Sequence, residues 1–364
     1  MSFDIVKAAA EHRGSVLVTV AAATGSVPRH AGSKMLVLPD GSTLGTVGGG
    51  VVEARAIERS GVCLAERRSD CLTVELTGEA AIGSTPVCGG VAELWLEYVA
   101  DASSFGAAAA ALDAGKIAVL AVFRGRDRPR CAAVFDAKGT LVAGGAEPPA
   151  SRSEASAVSA AAADLPALAA AAAAAAASGQ ASLSGARDWF FDPVPPPERL
   201  LVLGGGHVGR AVARFAVDLG FRVAIADDRP EFASANRFPA GVETREGRFA
   251  ELVAGFPFGP STYVLVVTPG HLSDLDCTRA ILGREYKYAG LIGSRRKVRM
   301  IFEQLVAEGF DRARVEALFS PVGVDIGAET PEEIAVSILA EMIAVRRGSP
   351  ALAAMEADRR RRRV

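Results

Sequence analysis

The segment Leu200-Leu201-Val202-Leu203-Gly204-Gly205-Gly206-His207-Val208-Gly209 runs an apolar strand straight into a glycine turn that opens a helix. Gly204, Gly206 and Gly209 keep the G-x-G-x-x-G spacing, which permits a tight turn, close backbone approach to a pyrophosphate and close packing of the helix on its strand. A second hydrophobic strand, Arg222-Val223-Ala224-Ile225-Ala226, ends in Asp227-Asp228. That is about twenty residues downstream, where an acid accepts hydrogen bonds from ribose hydroxyls. Strand, turn, helix and acid in this order predict a dinucleotide-type α/β unit, with Asp227 as the ribose contact and Arg229 close enough to admit a 2′-phosphate.

The rest of the second half alternates strand and helix, the pattern of a parallel sheet. Strands are expected at 200–204, 222–227, 263–268 and 288–292, and helices at 207–219, 273–283, 295–308 and 331–346. Thr330, Pro331 and Glu333 give the last helix a complete capping box. The first half reads differently. A helix at 2–12 precedes strands at 15–22, 33–38, 71–77, 91–99, 117–123 and 131–135, with a helix at 50–67. The expected architecture is α/β: a C-terminal Rossmann-like parallel-sheet domain with a smaller N-terminal α+β domain. An N-terminal domain is placed at 1–148, an Ala-rich helical and Pro-rich linker at 149–198, the Rossmann-like domain at 199–348 and a basic tail at 349–364.

With 40 basic and 42 acidic residues the formal charge is −2, which argues against a nucleic-acid binder held by phosphate neutralisation. The first residues lack a basic segment leading into an apolar core, so no secretory leader is expected. The longest apolar tract is mostly alanine, too weakly hydrophobic for a membrane span. Five dispersed cysteines without a C-x-x-C pair suit reduced thiols and a cytoplasmic location. The Ala-rich middle segment offers a surface for self-association as a homodimer.

Several segments carry candidate chemistry. Gly25 to Lys34 places Arg29, His30 and Lys34 in one loop, and Gly48-Gly49-Gly50 follows immediately before a helical pattern carrying Glu53. Glycines at a helix entry expose N–H groups to an anion, with Arg29 and Lys34 as counter-charge. Cys88, beside Gly89-Gly90, is approachable as a soft-metal ligand or sulfur carrier. Thr268-Pro269-Gly270-His271 follows a strand at the carboxyl edge, where open α/β sheets place ligands. His207 and His271 together lack the further ligands a metal would need. Gly293-Ser294-Arg295-Arg296-Lys297 puts three cations in the first turn of a helix, opposing its macrodipole, so a phosphate or carboxylate is expected there.

Together these segments resemble the XdhC/CoxI family, accessory proteins of molybdenum hydroxylases such as xanthine dehydrogenase. The resemblance rests on GSVPRHAGSKMLV (25–37), GTVGGGVVEA (45–54), CGG (88–90), GGGHVGRAVA (204–213), ADDRPEFA (226–233), TPGH (268–271), GLIGSRRK (290–297) and VGVDIGAETPEEIAVSILAE (322–341). It implies a cofactor-insertion chaperone more than a catalyst. Such a protein binds molybdenum cofactor, as molybdopterin or its dinucleotide form, assists its sulfuration with a cysteine desulfurase, and hands it to the hydroxylase apo-enzyme. The residues carried over are Arg29, Lys34, Gly48, Gly49, Gly50, Cys88, Gly204, Gly206, His207, Gly209, Asp227, His271, Ser294 and Arg295, with Cys88 as the molybdenum contact. Two departures stand out. Val51 occupies a position where many members carry cysteine, and Pro269 replaces a basic residue. The competing readings are an NAD-dependent oxidoreductase recruiting His271 and Lys34, and a nucleotide-sensing interaction protein.

Overall fold

The computed structural model describes residues 2–76, 89–124, 130–144, 165–184 and 188–363. The chain divides into two compact units, Met1–Pro196 and Pro197–Val364.

In the first unit, β1 (Val16–Gly25), β2 (Lys34–Val37), β3 (Thr43–Gly45), β4 (Asp70–Glu75) and β5 (Gly90–Tyr98) form an antiparallel sheet in the order β3-β2-β1-β5-β4. A second antiparallel sheet, in the order β8-β7-β6-β10-β9, contains β6 (Ala118–Phe123), β7 (Arg130–Phe135), β8 (Leu141–Gly144), β9 (Ser182–Ser184) and β10 (Trp189–Val194). Strand β1 alternates between two cores: Val16, Val18 and Val20 belong to one and Leu17 to the other. On the first face pack Val52, Ala56 and Cys63 of α2 (Gly50–Glu66). On the other, α1 (Ser2–Glu11) and α3 (Ser103–Asp113) join Leu17, Leu36 and Trp95 to Leu120, Val134 and Phe190 of the second sheet. The rings of Trp95 and Phe190 lie 5.7 Å apart. Ala172 and Ala175 of α4 (Leu165–Ser178) cover the far face of the second sheet against Val119, Phe135 and Phe191.

The expected linker at 149–198 is corrected by this arrangement. Its described part is a helix and two strands of the second sheet, and the unit boundary falls at Pro196. Pro193 pointed to an extended lead because proline removes a ladder donor. Strand β9 pairs only with Trp189–Phe191, so Pro193 lies beyond the pairing on that side and no ladder bond is lost. The buried face of the Ala-rich helix is used inside its own unit.

Lys34, expected as counter-charge for an anion, is instead a structural residue. Its side chain is 1% exposed and its ammonium forms an ion pair with Asp192 of β10, whose side chain is 6% exposed. The pair links the two sheets through the core. It also fixes the loop before β2, because Lys34 Nζ donates to Gly32 O at 3.4 Å and a Cβ on Gly32 would lie 3.1 Å from Asp192 Oδ1.

The second unit is a parallel sheet in the order β13-β12-β11-β14-β15, made from β11 (Arg199–Leu203), β12 (Arg222–Asp227), β13 (Glu243–Glu246), β14 (Thr262–Val266) and β15 (Tyr288–Leu291). The central strands carry continuous apolar runs, Leu200–Leu203, Val223–Ala226 and Tyr263–Val266, because helices cover both faces. On one side lie α5 (His207–Asp218) and α10 (Pro331–Arg347). On the other lie α6 (Phe249–Ala254), α7 (His271–Leu282) and α8 (Arg295–Ala307), with Val315 of α9 (Arg312–Glu316). Sequence order reverses beside β11, so the carboxyl ends of β11 and β14 flank the topological switch point. The predicted capping box is present: Glu333 N donates to Thr330 Oγ1 at 3.2 Å and Thr330 N to Glu333 Oε2 at 3.0 Å. The expected tail at 349–364 is corrected to a helix, α11 (Ala351–Arg363). Among the described residues no helix is long and apolar enough to cross a membrane.

Removing one member of a buried ion pair leaves an uncompensated charge and costs about 3–5 kcal/mol. Lys34→Met should lower the denaturant-measured stability of the first unit by about that amount, and adding Asp192→Leu should restore most of it. Additive losses in the double variant would show that the two residues do not act as a pair.

Candidate functional site

At the switch point, three of the four glycines around the turn after β11 are required by the fold itself. Gly204 has φ +117°, and a Cβ there would lie 2.5 Å from Val267 O. On Gly205 it would lie 2.1 Å from Phe232 O, and on Gly209 2.0 Å from Gly204 O. Gly206 differs. Its φ is −66°, which any residue adopts, and a Cβ there would meet nothing within 4 Å. Gly206 is the N-cap of α5 and provides no side-chain cap for the first helical N–H groups. A glycine that the packing does not require, at an uncapped helix start, leaves room for an anion to reach the backbone. His207 begins the helix and is exposed.

Asp227 corrects the sequence expectation of a ribose contact. Its carboxylate is fully buried and already accepts four hydrogen bonds: Gly205 N at 2.8 Å and Arg229 Nη2 at 2.9 Å on Oδ2, and Arg229 N at 3.0 Å and Arg229 Nε at 2.9 Å on Oδ1. With both lone pairs of each oxygen engaged, it holds the turn and has no capacity for ribose hydroxyls. Burial pushes its carboxyl up, but the hydrogen bonds from Arg229 and Gly205 outweigh burial and hold it below its ordinary value. The guanidinium of Arg229 lies 3.8 Å from the centre of the Phe232 ring, and that of Arg237 lies 4.8 Å from it. Arg237 Nη2 also donates to Gly205 O at 3.2 Å. Asp228, the next residue, keeps a half-exposed carboxylate.

Beyond β14, the Thr268 hydroxyl donates to Asp274 Oδ1, and the buried Asp274 forms an ion pair with Lys297. One of the three cations at the start of α8 is thus neutralised inside the unit. Ser294 caps α8, accepting from Lys297 N at 3.4 Å. Arg295 and Arg296 are exposed, pair with no carboxylate among the described residues, and each opposes the macrodipole by about 0.3–1 kcal/mol. They diverge. Arg296 lines a cleft of about 440 Å³ together with His271, Ser294 and Lys297, whereas Arg295 lines a separate groove of about 240 Å³ beside α9. The structure therefore groups His271 with Ser294 and leaves Arg295 out. Met300 and Gln304 also line the cleft. They follow Arg296 at i+4 and i+8, a helical stripe that would have disclosed them.

In the first unit, Gly48, Gly49 and Gly50 all have positive φ, at +134°, +71° and +56°. The loop they build already holds a carboxylate. Glu53 Oε2 accepts from the Thr46 hydroxyl, from Val47 N at 3.3 Å and from Gly49 N at 3.2 Å. Arg29 is half-buried close by, since a Cβ on Gly48 would lie 3.5 Å from Arg29 Cγ and 3.1 Å from Pro28 Cγ. Cys88 lies outside the described residues. Its neighbour Gly89 is tied to the start of the Arg29 loop, with Ser26 N donating to Gly89 O at 2.9 Å. Of the other thiols, burial pushes Cys63 up to about 11, and pushes Cys131 and Cys277 well above the ordinary range. These three remain protonated at neutral pH. Among the described residues no group of three or more His, Cys, Asp or Glu is placed to hold a metal ion.

Two outcomes follow for stability. Gly205→Ala and Gly209→Ala should each cost more than about 3 kcal/mol, because a Cβ would press on a carbonyl, whereas Gly206→Ala should cost about 1 kcal/mol or less. Urea unfolding checks the contrast, and equal losses at all three positions would remove the distinction. The depressed pKa of Asp227 implies stabilisation that is complete above about 3.8 and is lost as the pH falls through the lowered value. Asp227→Asn should be less stable than the parent at neutral pH, with the difference closing under acid; a constant gap down the acid limb would contradict this.

The comparisons with known proteins fall on the same segments. The model described as the XdhC Rossmann domain matches residues 200–342, and that of the XdhC and CoxI family matches residues 8–75. The uncharacterized protein YqeB of Escherichia coli K12 is 27% identical over 329 residues, 90% of this chain and 42% of that protein. A protein of Bacillus subtilis 168 described as a probable subunit of xanthine dehydrogenase is 30% identical over 158 residues, 43% of this chain and 46% of that protein. The chain thus spans less than half the length of these curated relatives in each match. A crystal structure from Bacillus halodurans, described as a xanthine dehydrogenase, shares the fold at a TM-score of 0.74 and 22% identity, covering 96% of this chain and 97% of that one. With both of its units matched by models of one family, the chain belongs to the XdhC and CoxI family.

Proposed function

We propose that this chain is an accessory protein of a xanthine dehydrogenase-type molybdenum hydroxylase, one that binds molybdenum cofactor, assists its sulfuration and delivers it to the apo-enzyme. The observation that carries the proposal is Gly206, a glycine at an uncapped helix start that the surrounding packing does not require. Family membership and the description of the Bacillus subtilis relative support the hydroxylase connection.

The N–H groups at Gly206 and His207 would receive the cofactor's phosphate, with the helix dipole favouring its charge. His271 and Ser294 stand at the neighbouring strand edge. When bound, the cofactor supplies the molybdenum centre and the ligand position at which oxygen is replaced by sulfur. Gly48, Gly49, Gly50 and Arg29 offer a second anion site. There the N–H groups of Val47 and Gly49 already serve Glu53, so an incoming anion is left the first helical amides, at Gly50 and Val51. Cys88 is assigned the sulfur-carrying role, with a cysteine desulfurase as donor. The burial-raised pKa values of Cys63, Cys131 and Cys277 make those three unsuited to the role, because transfer needs an accessible thiolate.

Protein purified from cells that make molybdenum cofactor should carry molybdenum and pterin in near-stoichiometric amounts, read by metal analysis and oxidised pterin fluorescence. Gly206→Val should lose both while remaining folded. Cys88→Ser should activate an apo-hydroxylase less than the parent protein does. Protein without pterin or molybdenum that fails to take up added cofactor, yet binds NAD tightly, would overturn the proposal in favour of a dinucleotide-dependent oxidoreductase.

A further inference from the structure

The cleft between α7 and α8 is built on different principles from the glycine turn. At the turn the available groups are backbone N–H groups. In the cleft they are side chains: Leu275, Met300 and Ile301 form an apolar wall, and His271, Arg296 and Gln304 stand around it. None of the lining residues is acidic. The carboxylate of Asp274 is fully buried and paired with Lys297, which also lines the cleft. Arg296 is exposed and has no carboxylate partner among the described residues. Met300 is 55% exposed, a large apolar group open to solvent, and its polarisable thioether suits the face of an aromatic ring. The volume of about 440 Å³ is that of a small-molecule site.

We propose that this cleft is a second ligand subsite, separate from the glycine turn, that takes a planar heterocycle bearing a phosphate. Its ring rests on Met300 and Ile301, and its anion meets Arg296 and His271. Two sources share this chemistry, a phosphorylated pterin and nicotinamide mononucleotide. The pterin form rests on the cofactor-binding reading given above.

Calorimetric titration of the full chain separates these cases, using 6-hydroxymethylpterin phosphate, nicotinamide mononucleotide, and inorganic pyrophosphate, which carries no ring, as the probe of the glycine turn. One of the two ring phosphates should bind stoichiometrically. Arg296→Ala and Met300→Asp, both at exposed positions that leave the core intact, should each weaken it by at least about tenfold and leave pyrophosphate binding unchanged. Gly206→Val should do the reverse. Whichever ring phosphate binds identifies the source. Absence of binding by both at millimolar concentration, unchanged affinity in the Arg296 variant, or direct competition by pyrophosphate would each overturn the subsite. Cofactor loading and transfer, measured independently, would survive that result if only the subsite is wrong.

Discussion

The carboxyl edge of the second unit depends on how closely the chain approaches itself at Gly204 and Gly205. Both residues lie against backbone carbonyls, of Val267 and Phe232, at distances where no side chain fits. The two peptide groups flanking the Gly205 Cα are then both held, because Asp227 accepts from Gly205 N while Arg237 donates to Gly205 O. Arg229 completes the arrangement by filling the remaining acceptor positions of Asp227 and lying on Phe232. These contacts tie β11, β12 and the segment after β12 into one rigid corner. The start of α5 is therefore positioned before any ligand arrives, which lowers the ordering cost of binding.

The same device occurs in the first unit with different components. There Glu53, on the first turn of its own helix, reaches back to Thr46, Val47 and Gly49. In each unit an internal carboxylate satisfies amides at or just before the N-cap, and the first helical amides beyond the cap are left without a side-chain cap. A glycine loop has high conformational freedom when unpartnered. An internal anion that takes only part of its N–H groups can order the loop and still leave an opening for an external one.

Much of this was legible in the sequence where one physical requirement fixes one residue type. The strand-turn-helix order around Gly204 and the capping box at Thr330 correspond to requirements of backbone geometry, and the structure contains both. Function-bearing side chains were less legible, because charge and spacing do not disclose an internal partner. Lys34 reads as a loop cation until Asp192, 158 residues away, is seen to meet it in the core. Asp227 sits at the ribose position in the chain but is closed off by Arg229, two residues later. Strands β9 and β10 of the first unit were hidden for a related reason. They follow an Ala-rich helix, β10 contains a proline, and only the short length of β9 makes Pro193 acceptable there.

The three cations that open α8 show why a charge run in sequence is not a charge cluster in space. Successive residues on an α-helix point about 100° apart. Arg295, Arg296 and Lys297 consequently face three environments: the groove beside α9, the cleft beside α7, and the buried carboxylate of Asp274. No single anion can be held by all three. Lys297 completes the internal pair that joins α8 to α7, and Arg295 faces away from His271, so the cleft retains one guanidinium, that of Arg296. Recognition there rests on one cation set beside an apolar wall, an arrangement that selects a ligand by its ring as well as by its charge.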